Sequence, residues 1–449
     1  MWLSEHPVRG LLPVMELFYM ILEGMAHVRL KEPFMSVLVH SKTPDSLLTK
    51  GCQLLSLGTG HPVFINNDIA VEQMLVRPVP LEHARAVTQV GCYEPVIPGL
   101  DAGTISIGML NFAAILELVL TNGWSRIYSK KLGIETGDPR QFRSLEELKE
   151  AFLKQTRWVM KDIIAVSDIV VDTLAELCPT TYESALIGDC IERGLTREAG
   201  GARYNFYPIV VGVGAVDAGD SLAAIKKLIF EEKKITMDEL CDALDKNFQG
   251  DEELLQMLLR EPKFGNDEDY VDEQVAWVSH VFADEVTRCR NDRGGCATPI
   301  GAPMQMYQAA GIATGALPSG RLSGQPLADA WSPSPGTDLR GPTAILRSAG
   351  KIDHVELLSG VTLNMRLDPV VFEHDEGVER AANLIRTFVD QKIFEIQINV
   401  ISSDTLKAAQ REPSKYRDVI VKVAGYSDYF VTLPRPLQDG IIARTEHVL

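Results

Sequence analysis

Apolar residues along this chain recur with two different periods, and the two kinds of segment alternate. Leu11 to Val28, Asn111 to Leu120 and Ser144 to Leu177 carry the three-to-four-residue spacing of helices. In the last, the charged start Glu146-Glu147-Leu148-Lys149-Glu150 gives way to Ile163, Ile164, Val166, Ile169, Val170 and Leu174. Asp220 to Phe230, Met237 to Phe248 and Asp267 to Arg288 read the same way. Between them lie short runs of strand length: Cys52 to Leu57, Pro62 to Ile65, Phe394 to Val400 and Val419 to Val423. Helices alternating with short strands predict an α/β fold. Gly and Pro thicken between Gly311 and Gly341, which predicts a larger body, 1–315, and a C-terminal unit, 316–449.

The 449 residues suffice for a large core and more than one structural unit. The apolar segment Leu11 to Ala26 is interrupted by Glu16 and Glu23, so it reads as a core helix rather than a membrane span. The start Met1-Trp2-Leu3-Ser4-Glu5-His6 has no basic region ahead of a small-residue cleavage site, and no secretory signal is expected. A formal net charge of −17 argues against a nucleic-acid surface, which needs clustered Lys and Arg. The cysteines, 52, 92, 178, 190, 241, 289 and 296, are odd in number, irregularly spaced and without a Cys-x-x-Cys pair. Free thiols in a reducing cytoplasm are expected, with no metal site and no bound cofactor. The closely spaced Cys triad that holds the cluster of a radical S-adenosylmethionine enzyme is not found in the sequence.

Two segments carry chemistry. In Val90-Gly91-Cys92-Tyr93-Glu94-Pro95-Val96-Ile97-Pro98-Gly99, Gly and Pro rule out a regular helix and predict a loop. Taken alone, this is a buried Cys in a turn beside a solvated Glu. In Val419-Ile420-Val421-Lys422-Val423-Ala424-Gly425-Tyr426-Ser427-Asp428-Tyr429-Phe430, a β-branched strand runs into a glycine and on into aromatics. Alone, that is a glycine in a tight turn.

Together and in this order, Cys-x-Glu-Pro and Val-Ala-Gly-Tyr-Ser resemble the glycyl radical enzymes, the superfamily of pyruvate formate-lyase, glycerol dehydratase and choline trimethylamine-lyase. Further matching segments are Gly58-Thr59-Gly60-His61-Pro62, Arg203-Tyr204-Asn205, Asp220-Ser221-Leu222, Arg293-Gly294-Gly295, Gly320-Arg321 and Gly341-Pro342-Thr343-Ala344. The tail from Leu437 to His447 matches as well, so the resemblance spans nearly the whole chain. It implies half of a ten-stranded α/β barrel, carried by 1–315, followed by a C-terminal glycyl radical domain, 316–449. It implies three catalytic residues: Gly425 as the stored radical, Cys92 as the thiyl site and Glu94 for proton transfer. The radical would be installed by a separate radical S-adenosylmethionine activating enzyme.

The resemblance also narrows the reaction. Acyl transfer of the formate C-acetyltransferase kind uses two adjacent cysteines, whereas Gly91 and Tyr93 flank Cys92. A single Cys-x-Glu is similar to the branches that eliminate a leaving group from a small organic substrate: dehydratases and C–N, C–O or C–S lyases. Arylacetate-type decarboxylation ranks second, because the further His of that branch has no counterpart between His83 and His280. A non-catalytic spare-radical subunit is the rival of another class, and retention of Cys92 and Glu94 argues against it. The His-Asp pair of the diol dehydratases falls at Ile105-Ser106. Family members carry a first half-barrel ahead of the Cys loop, so the expectation is that either a partner chain or a second copy completes the barrel, or the chain is a truncated gene product. Lys422 and Asp428 replace an Arg and a small residue at the grip of the activating enzyme.

Overall fold

The computed structural model describes residues 2–3, 11–301 and 305–449. Fourteen strands are present among them: β1 (Trp2–Leu3), β2 (Ser36–Val39), β3 (Val63–Asn66), β4 (Thr88–Val90), β5 (Glu94–Val96), β6 (Ile107–Asn111), β7 (Trp124–Ser125), β8 (Lys130–Lys131), β9 (Ile209–Val213), β10 (Thr298–Ile300), β11 (Thr362–Leu367), β12 (Glu395–Val400), β13 (Ile420–Lys422) and β14 (Ser427–Tyr429). A three-stranded sheet runs β10-β9-β6 and a five-stranded one β1-β2-β3-β12-β11. The parallel bridge between Gly301 and Val361 joins them, so that β10 leads onto β11.

The result is one curved wall of eight strands. Five of them, β6, β9, β10, β11 and β12, run parallel. At β12 the direction reverses, and β3, β2 and β1 run opposite to those five. The wall is therefore an α/β half-barrel of five parallel strands with three strands of the opposite sense beside it. It draws on both sides of the position between 315 and 316, because β3 pairs with β12.

Strands of such a wall are covered on both faces, and β2, β3, β9, β10, β11 and β12 are buried throughout. In β11 and β12 the two faces differ. Leu363, Met365, Leu367, Ile396, Ile398 and Val400 alternate with Thr362, Asn364, Arg366, Glu395, Gln397 and Asn399. This period of two turns a row of polar side chains to one face of a buried sheet, and that row builds the site.

The helices follow their apolar spacing. Leu11–Val28 is helical as read, and Leu145–Leu177 starts on Ser144, whose hydroxyl accepts from Glu147 N at 3.3 Å. Asn111 caps Phe112–Leu120 in the same way. The segment from Cys52 to Leu57, read as a strand, instead ends the helix Asp45–Leu55. A short apolar run does not distinguish the two by itself. The residues before it do, since Leu47, Leu48, Gly51, Cys52 and Leu55 form one buried helical face. The Cys loop is also more regular than a loop: β4 and β5 pair as a hairpin. Pro95 is tolerated there because a two-stranded ribbon leaves one side of each strand free of ladder bonds. Among the described residues no helix is long and apolar enough to cross a membrane.

Candidate active site

Two hairpins meet tip to tip against the polar row. The first, β4–β5, pairs Val90 with Glu94 and leaves Gly91-Cys92-Tyr93 as its tip. Gly91 has φ +60, and a Cβ there would lie 2.5 Å from Glu94 Oε2. Only a residue without a side chain lets the Glu94 carboxyl fold back over the turn. Tyr93 anchors the tip: it is fully buried, and its hydroxyl donates to Gly301 O at 3.2 Å.

The second hairpin, β13–β14, pairs Lys422 with Ser427 and carries Gly425 at its turn, with φ +78. A Cβ built at Gly425 would stand 2.5 Å from Cys92 Sγ and 2.7 Å from Cys92 Cβ. The pro-S hydrogen of Gly425 lies along that direction and points at the sulfur. Two residues 333 positions apart in sequence are thus brought together, sulfur against α-carbon. Glu94 begins the strand that leaves the Cys92 turn, and the thiol feels its charge.

The polar row of β12 grips the second hairpin. Asn399 Oδ1 accepts from Lys422 N at 2.6 Å, and its Nδ2 donates to Lys422 O at 2.8 Å. Gln397 Oε1 accepts from Gly425 N at 3.1 Å. Arg444 donates to Val423 O at 2.5 Å and to Lys422 O at 3.2 Å, and is itself held by Asp329 at 2.6 Å. Asp428 pairs with Lys31 at 2.6 Å. None of Gln397, Asn399, Glu395 and Thr362 stood out in the sequence. The available signal was the Glu-Ile-Gln-Ile-Asn alternation inside a strand otherwise apolar enough for a core.

The electrostatics suit hydrogen-atom chemistry. Burial pushes the Cys92 thiol up to about 12, helped by Glu395 and Glu94 and opposed by Lys422. The group therefore stays S–H. Burial raises Glu94 to about 7. Burial likewise raises Glu395 to about 8 and lowers Lys422 to about 7. Among the described residues the Lys422 Nζ has no hydrogen-bond partner, and it lies 4.3 Å from the centre of the Phe34 ring. Ser106, at the place of the family's polar pair, instead shares a 2.5 Å hydrogen bond with Ser167 on the long helix.

Comparison with known proteins accords with this geometry. Residues 10–311 match the family described as pyruvate formate lyase-like, and residues 327–431 match the glycine radical domain. The chain is 39% identical to trans-4-hydroxy-L-proline dehydratase of Clostridioides difficile, over 96% of this chain and 55% of that protein. It is 34% identical to isethionate sulfite-lyase of Bilophila wadsworthia, over 96% of this chain and 52% of the other. The glycerol-bound structure of the B12-independent glycerol dehydratase from Clostridium butyricum superposes with a TM-score of 0.93 at 38% identity, covering 97% of this chain and 55% of that one. The chain spans about half the length of the curated relatives it matches. Two matched domains in the order of the two hairpins place this chain in the pyruvate formate lyase-like family of glycyl radical enzymes.

Proposed function

We propose that this chain carries the radical chemistry of a lyase that expels a leaving group from a small organic substrate. The observation behind this reading is the seat of Cys92 Sγ where a side chain at position 425 would stand. A radical at the Gly425 α-carbon is stabilised between its amide nitrogen and carbonyl, and no side chain hinders flattening. It takes the hydrogen atom of the Cys92 S–H, which restores the glycine C–H and leaves a thiyl. The thiyl takes a hydrogen atom from a substrate carbon, and the S–H is restored. The substrate radical then loses the group on the adjacent carbon, which departs with a proton from Glu94, and the Glu94 carboxylate takes back a proton from the heteroatom on the radical carbon, leaving a neutral product radical. The product radical takes the hydrogen back from Cys92, and the thiyl is ready for return to glycine.

The residue environments support this. A nucleophilic cysteine needs a thiolate, whereas this thiol is held protonated. A carboxyl near 7 is half protonated at neutral pH, the poise expected of a proton-transfer group. The names of the relatives, a dehydratase of hydroxyproline and a sulfite-lyase of isethionate, both describe elimination. With Ser106 engaged by Ser167, this stretch supplies no polar pair for a simple diol. A more apolar or differently functionalised substrate fits better. The radical is installed by a separate radical S-adenosylmethionine activating enzyme, and a strand-bearing partner or second copy covers the open side of the wall.

The test is anaerobic activation followed by electron paramagnetic resonance. The wild-type chain, with its completing partner, gives a doublet from the single α-hydrogen. Gly425→Ala gives none, and air cleaves only the activated wild type at residue 425. A doublet that survives in Gly425→Ala overturns the assignment.

A further inference from the structure

The backbone N–H of Gly425 does not end in solvent or in ordinary hairpin pairing. It donates to Gln397 Oε1 at 3.1 Å. The other end of that side chain is fixed too: Gln397 Nε2 donates to Glu395 Oε1 at 2.7 Å. Glu395 Oε2 accepts from Thr362 Oγ1 at 2.5 Å. Thr362 and Glu395 are direct cross-strand partners in β11 and β12, so the far end of the chain is built into the wall. All three side chains are buried, none more than 1% exposed. A hydrogen-bonded line therefore runs from the rigid sheet to the amide nitrogen next to the reactive carbon.

Such a line has a consequence specific to a radical. The unpaired electron at a glycine α-carbon spreads onto the amide nitrogen only while the amide plane holds the carbon flat. An acceptor on the N–H makes that nitrogen a better electron donor. A carboxyl oxygen accepting from the amide NH2 of Gln397 polarises the Gln397 carbonyl and strengthens it as an acceptor, and more so when Glu395 is ionised. Lys422, Cys92 and Tyr93 are the other ionisable groups that interact with Glu395, and Lys422 favours its charged form.

We propose that Gln397, aligned by Glu395 and Thr362, is the positioning residue that fixes the amide plane of Gly425 and sets how much spin its nitrogen carries. This rests on the radical reading above and adds to it a part that neither hairpin supplies. Gln397 touches the radical residue directly, while Glu395 and Thr362 act through it.

The experiment compares activated wild type, Gln397→Met and the exchange variant Glu395→Gln/Gln397→Glu. Methionine keeps the volume of Gln397 without the acceptor. The exchange restores a carboxylate acceptor for Gly425 N and an amide donor for that carboxylate. The readouts are spins per chain, the α-hydrogen splitting and the amide nitrogen coupling by electron–nuclear double resonance. Gln397→Met is expected to lower the spin yield several-fold, widen the α-hydrogen splitting and shrink the nitrogen coupling. The exchange variant is expected to recover yield and nitrogen coupling. A Gln397→Met doublet with wild-type splitting and nitrogen coupling overturns the proposal. So does a folded exchange variant, judged by circular dichroism, that stays as depleted as Gln397→Met. A wild-type chain that accepts no radical under any activation fails the radical reading itself, a result distinct from a wild-type doublet that the variants leave unmoved.

Discussion

At position 425 two constraints coincide, and each excludes a side chain. The φ of +78 is costly for any residue with a Cβ, and that Cβ would enter the Cys92 sulfur. The roles proposed for Cys92 and Glu94 are separable by experiment. Cys92→Ser keeps a glycyl doublet but loses turnover, because a hydroxyl hydrogen is bound too strongly to exchange with a glycine radical. Retained activity in Cys92→Ser would refute the mechanism. Glu94→Gln keeps the doublet and lowers turnover by roughly a hundredfold or more, the range for a lost acid–base group. The pH profile carries the sign. Burial raises Glu94 to about 7, and the acid form delivers the proton, so the wild-type rate falls as pH rises through that value. The residual rate of Glu94→Gln is expected to lack this limb. An unchanged limb would assign it to another group.

At the scale of the element, the glycyl hairpin is held by two kinds of contact that differ in strength. The Lys31–Asp428 pair is partly exposed on both sides, at 37% and 26%, so solvent screens it and it contributes little. Asp428→Ala is expected to speed amide exchange across Val423 to Tyr429 by a few-fold at most, an effect that added salt reproduces in the wild type. Asn399 is buried and satisfies both backbone groups of Lys422. Asn399→Ala orphans the buried Lys422 N–H, at about 1–3 kcal/mol, and leaves Lys422 O to Arg444 alone, so the hairpin should open more often than in Asp428→Ala. Hydrogen exchange by mass spectrometry ranks the two, and equal protection in both variants would show that the wall does not carry the hairpin.

For the molecule as a whole, the strand wall is open at β6. This strand pairs with β9 alone among the described residues, and Gly108 faces the long helix at Ile163. Alternation then turns Ile107 and Met109 to the other face, where they are 49% and 42% exposed. An unpaired strand edge beside exposed apolar residues is a site for pairing or aggregation. The chain alone is therefore expected to self-associate and to turn over no substrate, since the meeting point of the hairpins lies on an incompletely covered wall. Light scattering and an anaerobic assay, with and without a candidate half-barrel partner, check this. Ile107→Lys with Met109→Lys should reduce the association. A monodisperse wild-type monomer that turns over substrate unaided would contradict it.

The sequence by itself determined the alternation of helices and strands and picked out Cys92 and Gly425, which meet at the hairpin tips, and Glu94 beside them. These are local matters. Glycine at 425 and thiol at 92 are chemical types that no neighbour can replace, and helical spacing is written within one turn of chain. Even so, Cys52 to Leu57 reads as a strand until Leu47 and Leu48 are counted with it, since six residues do not separate the two periods. The burial of strand β11 was not legible, because Thr-Leu-Asn-Met-Arg-Leu has the pattern of a half-exposed strand, yet every residue in it is buried. The same holds for the partners of the glycyl hairpin. Gln397 lies 28 residues from Gly425, and Glu395 lies 33 from Thr362. Only the tertiary structure decided that these polar side chains face inward. A buried polar group is stable there only with its hydrogen bonds made, and the partners that make them come from other strands and from the second hairpin.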